Sequence, residues 1–408
     1  MADILPYIYL GYMFVSIYFL SLFFILYIKN RERLFEVPKT KIKYRVSVLV
    51  PAYNESETIQ STIESIFSSE YPIEELIVLN DGSSDDTSKK VKGLFSKYKK
   101  LKLIDKPNSG KADSLNKGIS VANGDLIAVV DADSYPAKDA FAKLVGFFDD
   151  PTVGVATPFI VPRNRTSFFE RLQSIEYNVI AFTRKLLGFV EAIYVTPGPL
   201  AIYRKSALEK IGGFDKENMT EDIEATWHLT KEGYKRKMCL LALATTTVPA
   251  KVKPWFVQRR RWNLGGLQCI SKYKKYFLQK GMLGFFILPF FVLQLFLGLL
   301  GLSIFFYLII TRTVTRYLYT VYSINIGTPI ITVEDFLITP SFLNYLGVIL
   351  FVLGGLFTIL ILFMMKDVIL KKQNIFNILF YLFFYLTVYP FIMLNSLYHY
   401  FRGIRKWR

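Results

Sequence analysis

Three polar clusters in this 408-residue chain follow directly on short apolar runs. They are Pro51-Ala52-Tyr53-Asn54-Glu55, Asn80-Asp81-Gly82-Ser83-Ser84 and Asp131-Ala132-Asp133-Ser134. In the third, two carboxylates one residue apart close a fully apolar run, an arrangement suited to a hard divalent cation. Magnesium takes one or two protein carboxylates and completes its shell with phosphates and water. Such a cation neutralises a departing diphosphate. Ser109-Gly110-Lys111 opens a helical stretch, where Lys111 and the helix amides can meet a phosphate. Thr220-Glu221-Asp222 precedes a helix that runs to about residue 232. Acidic residues there suit the helix dipole in any case, but Asp222 can also serve as a general base toward a hydroxyl. On a helix, Gln258, Arg261 and Trp262 fall at i, i+3 and i+4 and share one face. They offer a guanidinium fork for diphosphate oxygens and a flat ring for a sugar. Arg259 and Arg260 are expected to point elsewhere, toward lipid headgroups. Singly, each cluster is also an ordinary turn or a solvated basic face. Their joint placement points to one site.

The elements that must position these groups are legible as an alternation. Apolar runs at residues 46–50, 76–79, 101–104, 126–130 and 153–156 read as buried strands. Polar helical stretches at 57–69, 86–98, 111–121 and 138–148 separate them. This pattern predicts an open α/β sheet with parallel strands. Ligands in such sheets bind beyond the carboxyl ends of the strands, where all three clusters stand. Residues 167–190 and 254–273 are longer and amphipathic. They suit either a membrane interface or ordinary packing on the sheet.

Hydrophobic residues make up 52% and aromatics 16% of the chain, concentrated before residue 29 and after residue 281. Residues 4–28 are long enough to span a bilayer and lack the basic start and small-residue cleavage site of a signal peptide. Three further apolar spans are expected at about 282–310, 342–365 and 375–400. Pro289 suggests that the first of them begins as an interfacial segment. The net charge of +17 clusters beside these spans, at Lys29, Arg31 and Arg33 and from Lys251 to Lys275. That is the positive-inside pattern with attraction to anionic lipid, and it argues for membrane lipids as partners and against nucleic acid. It sets the middle of the chain in the cytoplasm. Four spans would leave both termini outside, against which the basic residues Arg402, Arg405, Lys406 and Arg408 argue. Cys239 and Cys269 offer neither a disulfide framework nor metal-ligand spacing.

In this order, the motifs resemble the membrane-integrated processive enzymes of glycosyltransferase family 2, over roughly residues 46–270 by motif and beyond by hydropathy. The family includes cellulose, hyaluronan, chitooligosaccharide and poly-N-acetylglucosamine synthases. The resemblance implies a glycosyltransferase A-type, Rossmann-like open sheet joined to a helical transmembrane region with interfacial helices. The implied organisation is a transmembrane helix at 1–30, a cytoplasmic catalytic domain at 31–250, an interfacial segment at 251–280 and about three transmembrane helices at 281–408. It implies an inverting, plasma-membrane hexosyltransferase that takes a UDP-sugar with Mg2+ or Mn2+. By the resemblance, Tyr53, Glu55 and Asp81 contact the nucleoside, and Lys111 and Arg261 the phosphates. Asp131 serves donor and metal, Asp133 the metal, and Asp222 is the base. Gly198, Pro199, Leu200, Glu221, Gln258 and Trp262 line the acceptor side. A glycan or lipid-linked acceptor and a small membrane accessory subunit are the implied partners. Length, the single N-terminal span and Gly110-Lys111-Ala112 look most like the poly-N-acetylglucosamine synthases, which implies that sugar. Thr196-Pro197-Gly198-Pro199 looks more like the hyaluronan synthases. The alternative to polymerisation is transfer of one sugar to a lipid carrier.

Overall fold

The computed structural model describes residues 5–279, 281–327, 342–365 and 374–404. It opens with an apolar helix, α1 (Leu5–Asn30), followed by β1 (Val46–Ala52), α2 (Ile59–Phe67), β2 (Glu75–Asp81), α3 (Thr87–Lys92) and β3 (Leu101–Lys106). Next come α4 (Lys111–Val121), β4 (Leu126–Val129), β5 (Ser134–Pro136), α5 (Ala140–Val145) and β6 (Val153–Pro162). The domain closes with α6 (Phe168–Gly188), β7 (Ala201–Arg204), α7 (Lys205–Lys210), α8 (Glu221–Lys231), β8 (Lys235–Thr246) and α9 (Val252–Tyr273). The remaining helices are α10 (Leu288–Ile326), α11 (Phe342–Met364), α12 (Ile375–Phe380) and α13 (Tyr389–Phe401).

Eight strands form one sheet in the order β3-β2-β1-β4-β7-β6-β8-β5. The first four are mutually parallel, as the alternation of strands and helices predicts. The other half departs from an all-parallel sheet. β7 runs antiparallel to both β4 and β6, and β5 antiparallel to β8. β7 is only four residues long and still alternates faces. Ala201 and Tyr203 join the core on one side, and Ile202 the core on the other. Helices cover both faces, so β1, β2 and β6 are buried almost throughout. That explains why they read as continuous apolar runs.

α6 starts at a reciprocal capping box between Ser167 and Glu170. It lies between β6 and β8 on one side and α1, α11 and α12 on the other. α9 likewise packs between α8 and the helices α10 and α13. Three stretches among the described residues are long and apolar enough to cross a membrane: Pro6–Arg33, Leu283–Ile326 and Ile375–Phe401. A further apolar stretch, Phe351–Met364, lies within α11. The second of the three is longer than the span expected at 282–310. A π-helical turn over Leu283–Ile287 runs directly into α10, with Pro289 in its first turn. The wider π-helical turn accommodates the missing amide of proline, so the helix continues instead of breaking. Arg402 follows α13, whereas Arg405, Lys406 and Arg408, on which the expected side of the C-terminus turned, lie outside the described residues.

Candidate active site

The loops after β1, β2 and β4 converge at one end of the parallel strands. The β4 turn is held from two directions: Thr62 Oγ1 donates to the Ala132 carbonyl at 2.7 Å, and the Asp131 amide to the Gly198 carbonyl at 3.1 Å. Asp131 and Asp133 face a cavity of about 370 Å³. Lys111 enters from the first turn of α4 and bridges the motifs. Its Nζ lies 2.6 Å from Asp131 Oδ1 and 2.7 Å from Glu221 Oε1. Burial opposes its charge, but Asp131 and Glu221 hold it above the ordinary lysine range. Gly198 sits against this pair. A Cβ there would stand 2.6 Å from Asp131 Oδ2 and 2.9 Å from Lys111 Nζ, so no other residue fits without displacing them.

α8 brings Glu221 and Asp222 to the same cavity. The two neighbouring acids are driven apart. Burial works against ionised Glu221, but Lys111 outweighs it and keeps the carboxyl below its usual range. Asp222 is pushed up to about 6 by burial and then by the Glu221 charge. Asp133 is raised by burial and by Asp131. Two carboxylates on one turn, one of them disfavoured as an anion, form an oxygen donor set that fits a hard cation. Among the described residues no group of three or more such side chains gathers for a metal. Substrate phosphates and water would complete such a shell.

α9 supplies Gln258, Arg261 and Trp262 to the same cavity, as their spacing predicts. Arg259 does not face lipid. It is fully buried and meets Glu176 of α6 at 2.6 and 3.0 Å. Tyr385 donates to the same carboxylate at 2.7 Å and Tyr389 to its other oxygen. The Arg259 guanidinium lies 4.1 Å over the Trp262 ring and donates to Gln258 Oε1, fixing both cavity residues. Arg260 contacts His399 of α13 at 3.1 Å. The lipid-headgroup expectation fails for Arg259 because a partner carboxylate awaits it in the interior.

Of the fourteen positions singled out, Lys111, Asp131, Asp133, Gly198 and Pro199 line the cavity, together with Glu221, Asp222, Gln258, Arg261 and Trp262. Four do not. Leu200, just before β7, is fully buried in the core on the same side of the sheet as Ile202. Asp81 is buried and accepts from Lys106 Nζ (2.5 Å) and from the Ser109 and Gly110 amides (3.0 and 2.9 Å). It thereby fixes the loop that launches Lys111. Tyr53 is exposed, and Glu55 accepts from Thr58 Oγ1. Burial raises the Glu55 carboxyl, and the Asp133 and Asp131 charges add to it.

Sequence reasoning missed several supports. Thr196 bonds Tyr203 and Thr226, and Thr226 bonds the Asp222 carbonyl, which ties the Pro197-Gly198-Pro199 turn to α8. Glu176 carried a signal: an acid on the apolar stripe of α6, four residues after Leu172. Arg184, Tyr177 and Tyr194 also line the cavity.

A family model described as Glycosyl transferase family 2 matches residues 47–212. A poly-beta-1,6-N-acetyl-D-glucosamine synthase of Staphylococcus epidermidis is 34% identical over 288 residues, covering 69% of each chain. One of the same name from Staphylococcus aureus is 31% identical over 265 residues, 64% of each. Among solved structures, a mannosyltransferase from Pyrobaculum calidifontis in complex with GDP-Man and Mn2+ superposes with a TM-score of 0.60 at 18% identity. That match covers 97% of this chain and 99% of the other, and at such identity it is a likeness of fold.

Proposed function

Because the chain belongs to glycosyltransferase family 2, as the family model and the one-third-identical synthases show, we propose that it polymerises N-acetylglucosamine from UDP-N-acetylglucosamine. The product is a β-linked glycan made at the cytoplasmic face of the plasma membrane and passed outward. The observation that carries this reading is the single cavity shared by Asp131, Asp133, Asp222, Arg261 and Trp262. Donor chemistry, a proton acceptor and a sugar-sized ring stand within one enclosure. The names of the staphylococcal relatives support the sugar and its polymer.

In this mechanism Asp222 takes the proton of an acceptor hydroxyl. The oxygen attacks the anomeric carbon from the face opposite the diphosphate, the carbon–oxygen bond to the diphosphate breaks, and UDP leaves with inversion. A carboxyl poised at about 6 is ionised at neutral pH and still basic enough to accept the proton. Lys111 and Arg261 stabilise the charge that collects on the leaving group. Asp133, with Asp131 beside it, would hold a magnesium or manganese ion, whose positive charge serves the diphosphate. Trp262, braced by Arg259, offers its face to the acceptor sugar. The nucleoside side falls to Tyr53 and Glu55, at the mouth of the β1 loop, with Asp81 beneath. The names of the relatives give no support for the accessory subunit that the resemblance implies, and it has no part in this mechanism.

The far wall of the cavity is built by Phe291, Gln294 and Leu295 of α10 and Met393 and Ser396 of α13. These helices belong to membrane-length stretches, so a glycan leaving Trp262 would meet protein rather than lipid. That matters because hydrated groups are expensive in bare hydrocarbon. The apolar members of this wall also favour a second reading, addition of one sugar to a lipid carrier. Reconstitution into sealed vesicles, with donor supplied only outside, separates the two. Long product shielded from a glycan hydrolase until detergent is added supports polymerisation with export. Product one sugar longer than a lipid acceptor and open to the hydrolase overturns it.

A further inference from the structure

α6 turns Tyr177, Ile180 and Arg184 toward the cavity, at i, i+3 and i+7 of one helical face. Arg184 is only 7% exposed. Its Nε has no hydrogen-bond partner, and no carboxylate among the described residues pairs with the guanidinium. The contrast with Arg259 on the facing helix is direct, since that buried guanidinium is matched by Glu176. A guanidinium does not shed its proton in a protein, so a buried one needs compensation from something that enters its site.

The surroundings say what enters. Tyr194, Asp222 and Tyr177 are the groups whose charge or dipole Arg184 feels. Arg184 thus shares the cavity with the candidate base and with both of these tyrosines. The groups suited to diphosphate, Lys111 and Arg261, both act on Glu221, and Lys111 also pairs with Asp131 and feels Asp222. Arg184 rides on the helix packed between the sheet and the apolar helices. We propose that Arg184 is an acceptor subsite: its planar fork grips neutral oxygens of the terminal acceptor sugar, the acetamido carbonyl or a neighbouring hydroxyl, and holds the attacking hydroxyl against Asp222. The identity of that sugar as N-acetylglucosamine rests on the function proposed above; the subsite itself rests on the unmatched cation in the cavity.

The test uses full-length protein in detergent, with a β-linked N-acetylglucosamine tetrasaccharide as the probe. Equilibrium binding without donor is read from intrinsic tryptophan fluorescence, beside acceptor and donor KM and the ratio of UDP released to sugar transferred. Charged hydrogen bonds of this kind predict that Arg184→Met weakens tetrasaccharide binding about 10- to 100-fold. Donor KM should stay within about two-fold, and UDP release should outrun transfer. Arg184→Lys, which keeps the charge and the buried stem, should fold as wild type and recover part of the binding. A rise in donor KM with unchanged acceptor binding would assign Arg184 to the diphosphate and overturn the proposal. So would unchanged tetrasaccharide binding in both variants, or no binding by the wild-type protein. Wild-type protein that binds the tetrasaccharide yet releases no UDP from UDP-N-acetylglucosamine would refute the proposed donor and leave the subsite supported.

Discussion

Replacing Asp222 by asparagine keeps the shape of the side chain and removes its charge, and the two consequences have opposite signs. Loss of a placed general base costs about 10²–10⁴ in turnover. Donor affinity should stay within a few-fold, because Lys111 and the Asp131–Asp133 turn remain. Stability should rise. The carboxyl stands at about 6 in the fold against 3.8 for an ordinary aspartate, a difference worth about 3 kcal/mol. Below pH 3.8 the acid is protonated whether folded or unfolded, so it contributes no difference. Between 3.8 and about 6 the unfolded chain ionises first, and above 6 the folded protein carries the full cost of a disfavoured anion. An asparagine side chain at this position never ionises. The variant should therefore melt above wild type at about pH 7.5, by an amount that shrinks toward zero near about pH 4. The assay is a thermal melt of both proteins in the same detergent at the two pH values, beside UDP release and product formation. Wild-type turnover should fall about tenfold for each further step of one in pH below about 6. Near-normal turnover, or a melting difference that does not change with pH, would refute both the role and the electrostatic reasoning.

Asp133→Ala should abolish transfer, and chelator should abolish it in wild type; full activity in chelator removes the metal from the mechanism. Gly198→Ala forces a methyl onto Asp131 and Lys111. Displacement of about 1 Å at a reacting centre costs about 10²-fold, so kcat should fall by that order with the fold intact by circular dichroism. Glu176→Gln strands the buried Arg259 and should destabilise by about 3–5 kcal/mol. The double variant Glu176→Gln/Arg259→Met should recover much of that loss in a melt, which a surface role for Arg259 would not produce.

Local pattern was enough for much of this molecule. Apolar runs bounded by turn residues mark β1, β2, β3, β4 and β6, because strands buried on both faces must be apolar at successive positions. The placement of carboxylates at strand ends, and of Gln258, Arg261 and Trp262 on one helical face, follows from the periods of strand and helix alone. These positions line the cavity accordingly. Membrane-length helices are equally legible, since bilayer thickness sets their length.

Other features depend on partners far away in the chain. β5 and β7 are three and four residues long and become strands only because β8, β4 and β6 accept their edges. Leu200 sits in a motif that suggests a site, but packing just ahead of β7 buries it in the core. Asp81 carries a charge that a nucleoside could use, yet the nearby amides of Ser109 and Gly110 claim it. Arg259 reads as a lipid-facing cation until Glu176, 83 residues earlier, meets it in the interior. Tyr385 reaches the same carboxylate from 209 residues away. Helical and strand periods say which way a side chain leaves its own element, whereas the group that compensates a buried charge is chosen by how the elements pack. The fold class and the candidate catalytic groups are therefore written in local pattern. Which charges are matched inside the protein, and which, like Arg184, are left for a ligand, is settled by contacts between segments that the chain holds far apart.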